Sequence, residues 1–367
     1  MRLREAEAQP QPRLLAPANA PAWVGARRQP ALLLIALAAL IAIALLSVAI
    51  GSVFIPPGVT LKILLAQFPL LHITRDWPET FEQILLQIRL PRVVLVALTG
   101  AALACSGTAY QGLFRNPLAD PYLIGVAAGA GLGAIAVIAL RAAHPLIGAP
   151  LVPAGAFAGA LLTVTLVYAL GRVGRTTPIT TLLLAGVAVG TLATSIATFL
   201  LLRLSQQSTR VLAFLLGGYA GTGWESVLAV APFTLLGCAL LHLYARPLNL
   251  LLFDDQQARQ LGVDVERVTL VIVIAATLTT AAAVAFSGLI GFVGLIVPHI
   301  GRLLVGADHR RLLPLATLGG AGFLLLADLL ARTVLAPEEL PLGVVTALVG
   351  APFFLWLLRR ARRAAFF

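Results

Sequence analysis

The sequence predicts an all-α polytopic membrane protein of about ten transmembrane helices, and three observations carry that reading. Apolar residues make up 59% of 367 positions and charged residues only 11%, against about 25% charged in a soluble domain. Mean hydropathy is +0.96. Apolar runs of the roughly 20 residues needed to cross a bilayer recur along the chain, separated by Pro, Gly and Arg clusters. The runs are solidly apolar, with none of the alternation of a membrane barrel, so helices are the expected spanning form.

Ten spans are expected: Ala31–Gly51, Val93–Tyr110, Leu123–Leu140, Leu151–Leu170, Ile179–Leu202, Val227–Tyr244, Val268–Ala285, Leu289–Val305, Leu312–Leu330 and Leu342–Leu358. Residues 1–30, rich in Pro, Ala and Arg, read as a disordered cytoplasmic tail, and residues 359–367 as a basic one. The first run is longer than a signal-peptide core and is expected to stay in the membrane. A net charge of +11 would suggest nucleic acid in a soluble protein. Here the basic residues lie between apolar runs, and membrane topology accounts for them without nucleic acid. With the N-terminus inside, 18 of the 26 basic residues fall on the cytoplasmic side. That bias favours both termini in the cytoplasm.

Two connections are long enough to carry function, and a second outside segment stands beside them. Gly51–Leu90, expected outside, holds an apolar stretch, Leu61–Leu71, that reads as a short surface helix. Ser205–Gly217, also outside, reads as an interfacial helix. Arg246–Arg267, expected inside, contains a predicted helix Leu250–Leu261 capped by Gly262. Its Asp254, Asp255 and Arg259 stand on an otherwise apolar element that includes Ala258. Such a helix can lie on the membrane or present a face to a cytoplasmic partner.

Catalytic patterns are absent. The single lysine, Lys62, lies between Leu61 and Ile63, so no phosphate-binding Gly-Lys-Ser/Thr loop exists. The five histidines lack the spacing of a zinc protease. Ser106–Gly107 and Ser287–Gly288 have Ala, not Gly, two residues earlier, unlike an intramembrane serine protease. Nothing points to a bound cofactor or metal, and Cys105 and Cys238 read as small packing residues.

Four groups remain. Arg89 and Arg92 flank Pro91, placed as a first helical residue, and at i, i+3 they are expected to share one side of the outer mouth. Arg332 closes the ninth span on the same surface. These arginines either snorkel to the headgroups or form a basic rim for an acidic partner. Asp328, one turn before Arg332, reads as its intrahelical partner in preference to a proton-coupling site. Thr191, Thr194, Ser195 and Thr198 share one face of the fifth span, after Gly186 and Gly190. That face suits close helix packing and a water-lined path equally.

The strings Arg89-Leu90-Pro91-Arg92, Phe114-Arg115-Asn116-Pro117-Leu118-Ala119-Asp120-Pro121 with Leu123-Ile124-Gly125, Phe286-Ser287-Gly288-Leu289-Ile290-Gly291-Phe292-Val293-Gly294-Leu295, Val297-Pro298-His299-Ile300-Gly301-Arg302 and Glu339-Leu340-Pro341-Leu342-Gly343 closely resemble those of the FecCD-type permeases. These are the membrane subunits of type II ABC importers for iron-siderophores, haem and cobalamin. The resemblance runs from about Ala31 to Leu358. It implies a multi-pass protein of the bacterial inner membrane and a homodimer of ten-helix subunits. Two cytoplasmic ATPase subunits and an extracytoplasmic substrate-binding protein complete the implied assembly, so that ATP hydrolysis falls to separate chains. It implies that Arg89, Arg92 and Arg332 receive acidic residues of the binding protein and that Leu250–Gly262 is the coupling helix. The fifth span and the helix after it would line the path. An ion-coupled secondary transporter is the alternative class.

Overall fold

A computed structural model describes residues 22–365 apart from 52, 54, 68–72, 144–150, 175, 205–207 and 220. The described residues are helical almost throughout, and seven helices are long and apolar enough to span a membrane. These include α1 (Ala22–Ala49), α6 (Leu151–Gly171), α7 (Ile179–Leu202), α9 (Trp224–Leu243), α12 (Val265–Ser287) and α14 (His309–Thr333). The seventh is the continuous 35-residue helix Glu79–Leu113, made of α3 (Glu79–Gln83), a π turn Ile84–Arg89 and α4 (Leu90–Leu113). Three helices with shorter apolar stretches, α5 (Val126–Ala143), α13 (Val293–Val305) and α15 (Leu342–Ala365, apolar over Leu342–Leu357), occupy the other expected spans. Two short helices, α2 (Pro57–Ala66) and α8 (Ser208–Leu215), lie in the long connections of one end, where the sequence predicts surface helices.

The core is built around α4, whose residues from Thr99 to Leu113 are buried almost without exception. Helices approach so closely because glycines face each other. A Cβ on Gly100 would sit 2.2 Å from the Gly320 carbonyl oxygen of α14, and one on Gly107 would sit 2.3 Å from Gly294 of α13. Such small-residue contacts carry membrane helix association, where lipid gives no hydrophobic drive. Buried hydroxyls add cross-helix bonds: Thr280 donates to Ser106 Oγ at 2.9 Å, and Tyr110 meets Thr277 at 3.0 Å.

Several expected boundaries move. The first helix begins at Ala22, inside the predicted tail, and runs through Pro30; residues 1–21 lie outside the described residues. The polar segment Glu79–Arg89, read as loop, is helical and continuous with α4. Pro91 is therefore internal to a long helix. It lacks the N–H that would close the turn before it, and the widened π turn accommodates that loss. The eighth span is only a 13-residue helix, because Gly288 (φ +69°) and Phe292 (φ 69°) leave helical space. The non-helical backbone between them is satisfied by protein, as membrane depth requires: Leu289 N–H donates to Phe214 O at 3.1 Å, and Ile290 N–H to Tyr122 Oη at 3.1 Å. The C-terminal basic segment continues α15 to Ala365.

Candidate functional site

Three regions gather the candidate residues. At the end carrying α2, called here the arginine end, all three predicted arginines are engaged internally. Arg89 is 6% exposed. Its guanidinium donates to the carbonyls of Val48 (3.0 Å), Ala49 (2.8 Å) and Val53, closing the C-terminus of α1. A cation there satisfies orphan carbonyls and the helix dipole together. Arg332 donates to Ser47 O, Ser47 Oγ and Ile50 O of the same terminus. Asp328, 1% exposed, stands 2.9 Å from both Arg332 and Arg92. The intrahelical pair read from the sequence is present, and Arg92 extends it across to α4. Arg92 also holds Glu339 at 2.9 Å, and that glutamate is half exposed.

The expected sharing of one side by Arg89 and Arg92 does not hold. Arg89 turns to the C-terminus of α1, while Arg92 turns to Asp328 of α14. Arg332 adjoins both: it shares Asp328 with Arg92 and the C-terminus of α1 with Arg89. Glu339 as a second partner of Arg92 was not legible, because the two lie 247 positions apart.

The second region is an open groove of about 720 Å³ along α7, lined by Thr191, Thr194, Ser195 and Thr198 and by Tyr122 and Gly125 of the connection before α5. Within this chain the packing face of α7 is the opposite one: Leu182, Gly186, Val189, Ala193 and Ala197 are buried. Gly186 packs against the Leu123 carbonyl, where a Cβ would sit at 2.4 Å. The four hydroxyl residues are exposed to the groove. Thr191, Ser195 and Thr198 donate to carbonyls one turn back at 2.8–2.9 Å, leaving oxygen lone pairs outward. The groove joins the broken span: Tyr122 Oη donates to Ile290 O at 2.9 Å. Glycines let three connections meet there. Gly343 N–H donates to Leu216 O at 3.0 Å and Leu342 N–H to Gly217 O at 3.3 Å. A Cβ on Gly343 would sit 2.6 Å from Leu216 O.

Asp120 lies in the connection between α4 and α5, where its carboxylate accepts the Tyr122 N–H at 2.8 Å. Burial pushes this carboxyl up to about 6, against the lowering effect of that bond.

The third region is an elbow at the opposite end. One helix over Leu250–Leu261 was expected; two are found, α10 (Ala245–Leu250) and α11 (Asp255–Gln260). The break follows from Asp254, whose side chain caps α11 by accepting the Asp255 N–H at 2.8 Å. Gly262 (φ +82°) ends the element as predicted. Arg115 fixes both halves, donating to Leu251 O at 2.6 Å and pairing with Asp255. Arg259 pairs with Glu266 at 2.6 Å, and Ala258 is buried. Asn249 ties the elbow to α14: it donates to Asp308 at 2.6 Å and accepts the His309 N–H at 2.8 Å. At its tip Leu252, Phe253 and Leu261 are 41%, 53% and 60% exposed. Arg115 and Asn249 were missed as site residues, since neither stands in a pattern that names its partner.

Known proteins match this architecture over most of its length. The cobalamin import system permease protein BtuC of Halobacterium salinarum is 48% identical over 77% of this chain and 75% of its own. The hemin transport system permease protein HmuU of Yersinia pestis is 44% identical over 76% and 83%. A solved inward-facing metal-chelate type ABC transporter superposes with a TM-score of 0.78 at 31% identity, covering 90% of this chain and 99% of that one. The profile of the FecCD transport family matches residues 35–360. With spans, broken helix and elbow in place, the chain is a multi-pass membrane transport permease and belongs to the FecCD transport family.

Proposed function

We propose that this chain is the permease subunit of an ABC importer that admits a metal chelate (haem, cobalamin or an iron chelate) by alternating access. The observation that carries the reading is the hydroxyl face of α7, turned to an open groove instead of to the protomer's own packing. Polar oxygens along a wide groove suit a bulky polar solute, and among the described residues no charged side chain lines it. An identical subunit facing this groove would complete the path.

In this reading the elbow end is cytoplasmic and seats one of two ATPase subunits. Its residues Leu250, Asp254, Asp255, Ala258, Arg259, Leu261 and Gly262 divide the work. Phe253 and Leu261 offer apolar anchors, and the ion pairs keep the element stiff. The arginine end faces outward and receives a binding protein. Arg92 and Arg332 offer positive charge to its carboxylates, while Arg89 holds the end of α1 under them. ATP-driven movement of the elbows would rock the two subunits about the path. An ion-coupled secondary transporter is disfavoured, because its one acidic candidate, Asp328, is held between two guanidiniums.

The test is ATP hydrolysis by the chain reconstituted in lipid with its ATPase and binding protein, supplied in turn with haem, a ferric siderophore and cobalamin. Stimulation by one loaded binding protein is expected and names the cargo. Failure of any ATPase to assemble would refute the reading.

A further inference from the structure

At the arginine end, away from the α7 groove, a second cavity of about 840 Å³ opens between α6 and α9. Its floor is Ala282 and Phe286 of α12, the helix that separates the two walls. Phe157 of α6 and Phe233 of α9 meet across it with ring centroids 5.0 Å apart and close its deep side. Phe233 lies nine residues into α9 from Trp224 at the mouth, a depth of about 13 Å at 1.5 Å per residue. That is close to half of the bilayer's hydrocarbon thickness.

The mouth is polar. Glu225 lines it at the start of α9, exposed and without an ion pair or hydrogen bond among the described residues. Trp224 donates its indole N–H to Leu86 O at 2.9 Å, an amphipathic ring at the level where interfacial tryptophans sit. Leu86 and Gln87 also border an adjoining polar pocket of about 360 Å³ that holds Arg75 together with Glu79 and Glu82, of which Glu79 accepts from Gln83 at 3.5 Å. Arg75 reaches Glu82 only at 3.8 Å and is 69% exposed, so its guanidinium is largely free to bind an anion.

An apolar slot of acyl length thus leads to a mouth with one unpaired carboxylate and, beside it, one loosely held guanidinium. We propose that the cleft binds a phospholipid with a primary-amine headgroup, such as phosphatidylethanolamine. Its acyl chain would run down the Phe157–Phe233 slot, its ammonium would meet Glu225 and its phosphate Arg75. The two charges match a zwitterion of that polarity, whereas a glycerol headgroup would give its phosphate to Arg75 and leave Glu225 without a cationic partner.

Native mass spectrometry of the delipidated full chain, offered equal phosphatidylethanolamine and phosphatidylglycerol, tests this. Wild type should retain the amine lipid about threefold more, the range of an exposed ion pair. Glu225→Gln and Arg75→Gln should each lower its retention by a similar factor without shifting the melting temperature. Equal retention of both lipids by wild type overturns the proposal. So does preference for the amine lipid that survives Glu225→Gln, since the lipid would then sit elsewhere. The wild-type comparison decides alone if a variant fails to fold.

Discussion

The two ends of the molecule handle charge in opposite ways. At the arginine end, Arg89, Arg92 and Arg332 all have partners within the chain, and little guanidinium surface is left over. At the elbow end, Arg115 and Arg259 are paired as well, but the tip beyond them is apolar and exposed. An apolar tip gains from any partner that buries it. A saturated arginine gains only if the partner's carboxylate replaces one it already holds. Half-exposed Glu339 is the replaceable partner of Arg92; Asp328 is not. In the proposed assembly the elbow would hold its partner permanently, and the arginine end would exchange one.

The ends are joined by one helix pair. α4 runs from Arg92 to the Arg115 connection, and α14 from the Asn249 clasp at His309 to Arg332. Gly100 and Gly320 let the two helices pack in close contact.

The largest expected effect breaks the elbow. Phe253→Ala with Leu261→Ala removes two anchors worth about 1.5–3 kcal/mol each when buried. ATPase affinity, read by co-purification or titration, should fall on the order of a hundredfold, with the permease's own melting temperature unchanged. Next, Asp328→Ala leaves Arg92 and Arg332 facing each other. Loss of a carboxylate from a buried pair destabilises by about 3 kcal/mol, visible as a lower melting temperature in detergent, whereas Glu339→Ala should change stability by under about 1 kcal/mol. Gly100→Ala forces a methyl against the Gly320 carbonyl and should cost about 1–3 kcal/mol, read in the same melt.

The smallest effect concerns Asp120. Its folded value of about 6 lies above the ordinary 3.8. The protonated form is therefore favoured by folding, and stability is lost as pH rises through that interval. Asp120→Asn keeps an acceptor for Tyr122 without the charge. Its melting temperature should exceed wild type by a margin that grows between about pH 4 and 6, then levels off; a margin independent of pH would contradict the assignment.

Much of this was legible in the sequence because membrane spans announce themselves by composition. Asp328–Arg332 was readable as well, being one turn apart on one helix. What the sequence concealed was of three physical kinds. Glu79–Gln87 is polar enough to read as loop, yet it extends the second span because α-helical hydrogen bonding does not require apolarity. A boundary was expected at Phe286–Gly288, but the non-helical stretch from Leu289 to Phe292 is as apolar as a span, and its positive-φ residue Phe292 leaves hydropathy unchanged. Partnerships such as Arg92 with Glu339, or Asn249 with Asp308, depend on which helices meet. The hydroxyl face of α7 was visible as a stripe, and only the packing of its opposite face against the chain determined which way it turns.

The claim that the two ends do separate work is tested most directly by Arg92→Ala in the reconstituted assembly. Asp328 stays paired with Arg332 in that variant, so the fold is spared. The account predicts normal ATPase assembly and basal hydrolysis, with loss of stimulation by the loaded binding protein. Full stimulation in Arg92→Ala, or loss of ATPase assembly, would contradict it.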